Sequence, residues 1–216
     1  IHKIGGRTPL EASNKYAIDA IARLGILGSV RNVPEGFAPG SDTAIMSIFG
    51  CSPRKYFFGR APLEAAASGI RLAPGDACYR CNMVTYADED VPFEHKHILS
   101  HSAGSIEGRE SDELVTMLFH HPDFRPLAEQ AGMVIHKGSS FRHIAVQSHV
   151  DIKGIRLAPP HDHLGEEIGP ILPTGCPNAD VLRELERRAF GSLAQHPSNV
   201  ARRAAGQRPA KGVWVW

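Results

Sequence analysis

The sequence lacks an apolar run near the ~20 residues that cross a bilayer, and no basic leader precedes an apolar segment near its start. It also lacks an excess of either charge, because 24 lysines and arginines nearly balance 23 aspartates and glutamates. No strong field therefore attracts nucleic acid or an anionic membrane. We expect a cytoplasmic protein whose partners include neither nucleic acid nor a membrane.

Cysteine is also scarce, with four residues in the chain. Cys78 and Cys81 form a single Cys-x-x-Cys pair, while Cys51 and Cys176 stand apart. A structural zinc site needs a second such pair or two well-spaced histidines. The pattern therefore predicts reduced thiols.

The two ends of the chain suggest part of a longer protein. The sequence opens on Ile1 without a methionine and closes on an apolar run, residues 212–216, with strand propensity. Trp214 and Trp216 would be poorly placed there without more chain to cover them. We therefore expect the terminal strand to lack neighbours.

The N-terminal third predicts short helices joined by loops. Thr8 and Glu11 form a capping box with Pro9 at the first helical position, and apolar spacing then continues to Leu24 before a stop at Gly25. This predicts one helix, followed by a strand over residues 26–33. Further helices are predicted over residues 41–49 and from Pro62.

The rest of the chain predicts a mixture of strands and helices. Strands are expected at 78–86, 133–136, 141–148 and 213–216, helices at 111–120, from Asn178 and at 197–206, and a loop at 157–177. Ser111 and Asn178 are the expected helix caps, and residues 137–140 the hairpin turn. The predicted domains are an α/β core over 1–60, an inserted α+β domain over 61–165, and a return to the core over 166–216.

Ser41 is the most telling local feature. Gly40 precedes it, and the hydroxyl stands at a predicted helix start, where free backbone N–H groups and the helix dipole favour a phosphate or a developing anion. Taken alone, a serine there is better explained as an ordinary helix cap, which is what most Ser-Asp helix starts are.

Several longer motifs occur together and in one order. They are Ile-Gly-Gly-Arg-Thr-Pro-Leu-Glu-Ala at residues 4–12, Pro-Glu-Gly-x-x-Pro-Gly-Ser-Asp-x-Ala at 34–44, Tyr-x-x-Gly-Arg-x-Pro-Leu-Glu-Ala at 56–65, and Arg-Cys-Asn at 80–82. Later stretches at 141–143, 159–162 and 196–216 continue the pattern. Together they resemble the archaeal-type cofactor-independent phosphoglycerate mutases, and the resemblance covers nearly the whole chain.

The resemblance implies an alkaline-phosphatase-like core and a serine that is transiently phosphorylated. Ser41 would be that nucleophile and a metal ligand. Two divalent ions, manganese or zinc with magnesium as a third candidate, would activate it, with no organic cofactor. The implied reaction is the interconversion of 3- and 2-phosphoglycerate in glycolysis and gluconeogenesis. The resemblance leaves open whether the protein forms a homo-oligomer.

Phosphoglycerate carries a phosphate and a carboxylate, and guanidinium groups match both anions bidentately. The substrate-binding residues are therefore expected among polar residues of the matching stretches. They are Arg80, Asn82, Arg142, His143, His161 and Arg203, with Arg202 as the alternative to Arg203. His143 and His161 are candidates for phosphate binding or proton transfer because imidazole titrates near neutral pH.

The chain departs from the family pattern in two ways. The aspartate and histidine clusters that bind metal in the family are expected outside residues 1–216. Relatives tend to follow Ser-Ala-Gly with His or Arg, whereas Ser105 follows Ser102, Ala103 and Gly104 here. Two other functions stay open: a related phosphotransferase resembling homoserine kinases, and an anion-binding module without catalysis.

Overall fold

A computed structural model describes residues 2–138, 140–193 and 195–216. The chain divides into a first unit that ends at Phe57 and a second unit from Phe58 to Trp216. Both contain helices, and the second also contains a sheet, so the fold is α/β in the broad sense. Within the described residues, no helix is both long and apolar enough to span a bilayer.

The first unit is helical. Its helices are α1 (Pro9–Ala12), α2 (Tyr16–Leu24), α3 (Ser41–Ile48) and α4 (Pro53–Tyr56). The capping box at the start of α1 is confirmed, because Thr8 Oγ1 accepts the Glu11 N–H at 3.2 Å and a Glu11 carboxylate oxygen accepts the Thr8 N–H at 2.7 Å. The prediction of α3 is also confirmed, and it ends one residue early.

The single helix predicted up to Leu24 is wrong in one respect, because it is interrupted after Ala12. Ser13 Oγ donates to the Leu10 carbonyl at 2.8 Å, and the backbone at Ser13 is extended. Serine side chains compete in this way for the carbonyls of the preceding turn. The chain resumes helical geometry at Tyr16 and stops before Gly25 as expected.

The strand predicted over residues 26–33 is wrong. These residues adopt no regular structure, and the side chains of Ile26, Leu27 and Val30 are exposed. An isolated strand is unstable without a neighbour to pair its backbone groups. Within the described residues up to Phe57, no segment forms a strand that could supply this pairing.

The second unit combines helices with a sheet. The helices are α5 (Arg60–Ala67), α6 (Gly108–His120), α7 (Arg125–Gln130), α8 (Asn178–Ser192) and α9 (Pro197–Ala204), and the strands are β1 (Ala77–Tyr86), β2 (Ile98–Ser100), β3 (Met133–His136), β4 (Arg142–Gln147) and β5 (Gly212–Val215). Four strands lie in the order β2-β1-β4-β3 in the sheet, and the fifth strand, β5, pairs with β1 outside this order. All these pairings are antiparallel.

Most predicted elements of this unit are confirmed, including β1, the β3–β4 hairpin and the loop before α8. Ser139, in the hairpin turn, lies outside the described residues. Both predicted caps are wrong: α6 begins at Gly108, so Ser111 lies inside it, and Pro177 occupies the cap position of α8. Asn178 is buried, and its Nδ2 donates to Tyr79 Oη at 3.1 Å.

Alternation along β1 separates the main core from the candidate site. Tyr79, Cys81 and Met83 point into the core, with Leu118 of α6 and Leu182 of α8. Side chains of successive strand residues point to opposite faces. Arg80 and Asn82 therefore share the other face of the sheet.

The expectation that the terminal strand lacks neighbours is wrong. β5 pairs with β1 from Cys81 to Val84, and Trp214 is fully buried with its Nε1 donating to the Ala158 carbonyl at 2.8 Å. Residues 166–216, predicted to return to the first layer, thus lie in the second unit. Long-range pairing of this kind leaves no local trace in the sequence. The three-part division of the intact protein stays a prediction.

Candidate functional site

Ser41 is the first residue of α3, and its side chain is exposed. The cap position belongs to Gly40, and no side chain caps this helix. A Cβ atom on Gly40 would lie 2.4 Å from Asp42 Oδ1, which accepts the Thr43 N–H at 2.8 Å. A larger residue before Ser41 would therefore displace the Asp42 carboxylate, and the ordinary capping role does not account for the Ser41 hydroxyl.

In the second unit, Arg80 is nearly inaccessible, with 2% of its surface exposed. Its Nε donates to Glu64 Oε2 at 3.0 Å, and its guanidinium carbon lies 4.2 Å from the ring centre of Trp216. Its Nη2 is buried without a hydrogen-bond partner in the described structure. Burial lowers the pKa of Arg80, Glu64 opposes this shift, and the charges of Arg142 and Arg60 add to it.

Arg142 reaches the same face of the sheet from β4. It stands directly opposite Asn82, and directly opposed residues of antiparallel strands point the same way. Its guanidinium lies 4.9 Å from the ring centre of Phe141. Arg142 is exposed, in contrast to Arg80.

Asn82 links the strand to its surroundings and is 1% exposed. Its Nδ2 donates to the His101 carbonyl at 2.9 Å, and its Oδ1 accepts from Trp216 Nε1 at 3.2 Å. Both polar ends of the amide are thus engaged within the protein. Asn82 orients Trp216, whose ring lies beneath Arg80.

Two imidazoles complete this region. The ring of His161 lies 5.1 Å from that of Trp216, and the ring of His101 lies 5.9 Å from that of His161. Burial lowers the pKa of His101, and the charges of His161 and Arg142 lower it further. We call Arg80, Arg142, His101 and His161 the basic cluster.

His143 lies on the opposite face of the sheet, because it stands opposite Cys81. It is 1% exposed, its Nδ1 accepts the Gly138 N–H at 3.1 Å, and its Nε2 lies 3.0 Å from Ser111 Oγ. Burial lowers the pKa of His143 to about 4, although Asp112 opposes the shift. This neutral ring carries its proton on Nε2 and lies outside the basic cluster.

The two arginines of α9 differ sharply. Arg202 is buried, and its guanidinium nitrogens donate to the carbonyls of Arg208 and Ala103 and to the Glu110 carboxylate. This arrangement holds the chain together. Arg203 is exposed. A hydrogen bond from Lys211 lowers the pKa of Asp88, just beyond the end of β1, and the Arg203 charge adds a smaller effect in the same direction.

The structure therefore brings together Arg80, Asn82, Arg142 and His161 among the predicted residues. Sequence reasoning missed His101, Glu64 and Trp216. Glu64 belongs to the quoted Pro-Leu-Glu-Ala motif, and that position was the available signal. The contribution of Trp216 depends on the pairing of β5 with β1. In this pairing Met83 stands opposite Val213, 130 residues further along the chain, so no local sequence pattern reveals it.

The described residues do not make up a metal centre. No group of three or more His, Cys, Asp or Glu side chains converges within residues 2–138, 140–193 and 195–216. One serine hydroxyl is a single weak ligand, and a divalent ion needs several. The described residues therefore do not supply the ligands that a divalent ion needs.

This α/β chain, with a basic cluster on one face of its sheet, matches known proteins along its length. Residues 22–199 match the model of the family described as 2,3-bisphosphoglycerate-independent phosphoglycerate mutase. The chain therefore belongs to that family. The resemblance drawn from its motifs is confirmed.

Individual relatives agree. A 2,3-bisphosphoglycerate-independent phosphoglycerate mutase 2 from Methanothermobacter thermautotrophicus is 37% identical over 216 residues, which are 100% of this chain and 50% of that protein. A 2,3-bisphosphoglycerate-independent phosphoglycerate mutase from Methanosarcina mazei is 38% identical over 216 residues, which are 100% of this chain and 51% of that protein. The chain spans about half the length of the curated relatives it matches.

Solved structures share the fold. A protein from Pyrococcus horikoshii matches with a TM-score of 0.61 at 25% identity, over 100% of this chain and 46% of that one. A cofactor-independent phosphoglycerate mutase from Thermoplasma acidophilum matches with a TM-score of 0.52 at 24% identity, over 100% and 55% of the two chains. The latter likeness concerns the fold alone.

Proposed function

We propose that the intact protein interconverts 3- and 2-phosphoglycerate through a phosphoserine formed at Ser41. Family membership supports the reaction. The observation that carries the assignment of the binding residues is Arg80 Nη2, a buried charged donor without a partner. Leaving such a donor unpaired is costly, so an anion is the natural partner for it.

In this proposal the basic cluster binds the substrate anions. Arg80 and Arg142 approach from adjacent strands and offer forked donors that suit a carboxylate or a phosphate. His161 adds a donor beside them, and Asn82 acts through Trp216. His143 and Arg203 were predicted as ligands as well, and we assign them no contact with the substrate.

Ser41 takes part as the nucleophile. Its hydroxyl is exposed at a helix start and serves no capping role, so it is available for phosphorylation. Its hydroxyl oxygen bonds to the phosphorus atom of bound phosphoglycerate as the bond from phosphorus to the substrate oxygen breaks, and the proton lost by Ser41 is taken up by the glycerate oxygen that is released. The glycerate then reorients, and its other hydroxyl takes the phosphoryl group from Ser41 and gives its proton back to the serine oxygen.

The finer features of the family resemblance belong to this proposal. We infer an alkaline-phosphatase-like core interrupted by an inserted α+β domain, with the units of this chain forming parts of both. Two divalent ions, manganese or zinc before magnesium, would supply activation of the serine in the intact protein. Their remaining ligands would come from chain outside residues 1–216.

The test uses the intact protein. Turnover with 3-phosphoglycerate is compared with turnover of homoserine plus ATP, which a related phosphotransferase would use. Mass spectrometry of protein quenched during turnover should place phosphate on Ser41. Phosphate on another residue, or turnover of homoserine in place of phosphoglycerate, would overturn the proposal, and no turnover of either would favour a non-catalytic binding module.

A further inference from the structure

The guanidinium of Arg80 is restrained on two of its sides. The ring of Trp216 covers one face at 4.2 Å, and the carboxylate of Glu64 takes the Nε–H at 3.0 Å. Glu64 lies on α5 and Arg80 on β1, so two separate elements meet at this pair. The terminal edge, which carries Nη2, is the part left for a ligand.

The two restraints do different things. Stacking on an aromatic ring sets the plane of a guanidinium, but it hardly resists rotation within that plane. A hydrogen bond to one edge sets that rotation, because the donors of a guanidinium point in fixed directions. Glu64 therefore decides where the terminal nitrogens of Arg80 point.

We propose that Glu64 is a positioning residue, whose carboxylate holds Arg80 Nε so that the terminal guanidinium edge receives an anionic group of the substrate. The inference rests on the proposed function, in which the basic cluster binds phosphoglycerate. It adds a residue that makes no contact with the substrate and acts through Arg80.

A competing effect has the opposite sign. The negative charge of Glu64 repels an anionic substrate, so its removal would improve binding if repulsion were the larger effect. The Glu64 side chain is 35% exposed and the Arg80 side chain 2%. Water therefore screens the Glu64 charge, whereas the loss of its hydrogen bond leaves a second buried N–H of Arg80 unpaired. We expect orientation to outweigh repulsion.

Two substitutions in the intact protein separate these effects. Glu64→Gln keeps an acceptor oxygen for Nε and removes the charge, while Glu64→Ala removes both. The matched control is Glu113→Gln, because Glu113 accepts from the 91% exposed Arg109 at 2.6 Å and from Ser198 at 3.5 Å, and neither residue is assigned to binding. Calorimetric dissociation constants for 3-phosphoglycerate, KM and kcat are measured for each, and thermal unfolding verifies that each variant folds.

We expect Glu64→Ala to weaken binding about tenfold, the size of one lost hydrogen bond to a charged group, and to raise KM more than it lowers kcat. Glu64→Gln should retain most of the affinity that Glu64→Ala loses, and Glu113→Gln should bind 3-phosphoglycerate as tightly as the wild type does. Equal or tighter binding by Glu64→Ala would show that Glu64 repels the substrate, and equal weakening by both Glu64 variants would show that its charge matters rather than its acceptor oxygen. Either outcome would overturn the inference.

A readout that needs no substrate separates this inference from the proposed function. In protein labelled with ¹⁵N at arginine, the Nε–H of Arg80 should be protected from solvent exchange in the wild type and in Glu64→Gln, and unprotected in Glu64→Ala. A wild type that does not bind phosphoglycerate would overturn the proposed function, and inorganic phosphate would then replace it as the probe of Glu64. If binding of phosphate did not depend on Glu64 either, the inference would fail too.

Discussion

The two units differ in how they use apolar residues. Among the described residues up to Phe57, only Thr43 and Pro53 are buried, whereas Leu24, Ile26 and Phe49 are more than three-quarters exposed. The second unit packs its apolar side chains from α6, α8 and the sheet into a main core. The proposed nucleophile thus lies on a unit with almost no core of its own, and the basic cluster lies on a well-packed unit.

This contrast implies a division of labour that can be tested. Substitutions at Ser41 should affect chemistry with little effect on stability, because the residue is exposed and caps nothing. Substitutions in the second unit should affect stability or binding, according to the face of the sheet they occupy.

The largest effect is expected for Ser41→Ala in the intact protein. Turnover should be abolished because the covalent route through a phosphoserine is lost. The free energy of unfolding should change by less than about 0.5 kcal/mol, as for other exposed positions. Steady-state assay and urea unfolding provide the two measurements, and substantial activity in the variant would remove Ser41 from the mechanism.

The next largest effect is expected in the main core. Leu118→Ala should lower the free energy of unfolding by about 2–5 kcal/mol, because Leu118 is fully buried and its truncation leaves a cavity. Leu24→Ala, at a residue that is 91% exposed, should change it by less than about 0.5 kcal/mol. Denaturant titration of both variants measures the two losses. Equal losses would show that the two units do not differ in how far they bury apolar side chains.

A third prediction concerns Glu186, which is fully buried in α8. Its Oε1 accepts the Val215 N–H at 2.8 Å, and its Oε2 has no partner in the described structure. Burial raises the pKa of Glu186 to about 8. The folded protein therefore keeps this proton up to about pH 8, whereas the unfolded chain releases it near the ordinary value of 4.5.

It follows that wild-type stability should fall, relative to Glu186→Gln, as pH rises from about 5 to about 8. The slope should be near 1.4 kcal/mol per pH unit, the linkage value for one proton. Glu184→Gln is the contrasting control, because Arg188 and Arg187 lower the pKa of Glu184 and its contribution is lost only towards acid pH. Urea unfolding over this pH range gives the free energy of unfolding of each variant. A difference between wild type and Glu186→Gln that does not change with pH would contradict the prediction.

The smallest effect is expected for Arg142→Lys. An ammonium keeps the charge and loses the bidentate fork, so kcat/KM for 3-phosphoglycerate should fall about tenfold. Arg109→Lys, at a 91% exposed side chain, is the matched control and should leave kcat/KM unchanged. An effect within a factor of two of wild type would return Arg142 to an ordinary surface charge.

The difference between the units also explains where sequence reasoning succeeded. Alternating and helical apolar patterns predicted β1 and the β3–β4 hairpin. These predictions succeeded because the second unit supplies partner strands for them. The same kind of pattern failed over residues 26–33, where no neighbouring strand is present among the described residues. A pattern states which side chains are apolar, but it does not state what covers them.

By itself, the sequence determined the family, the capping box at Thr8, the start of α3 at Ser41 and the residues from which a basic site could be built. These depend on motifs and on interactions between near neighbours in the chain. Only the tertiary structure decided which candidates meet. The register of β4 and β5 on β1 places Arg142 and Trp216 beside Arg80 and turns His143 to the opposite face. A shift of one residue would exchange the faces, and that register is set by packing between distant segments.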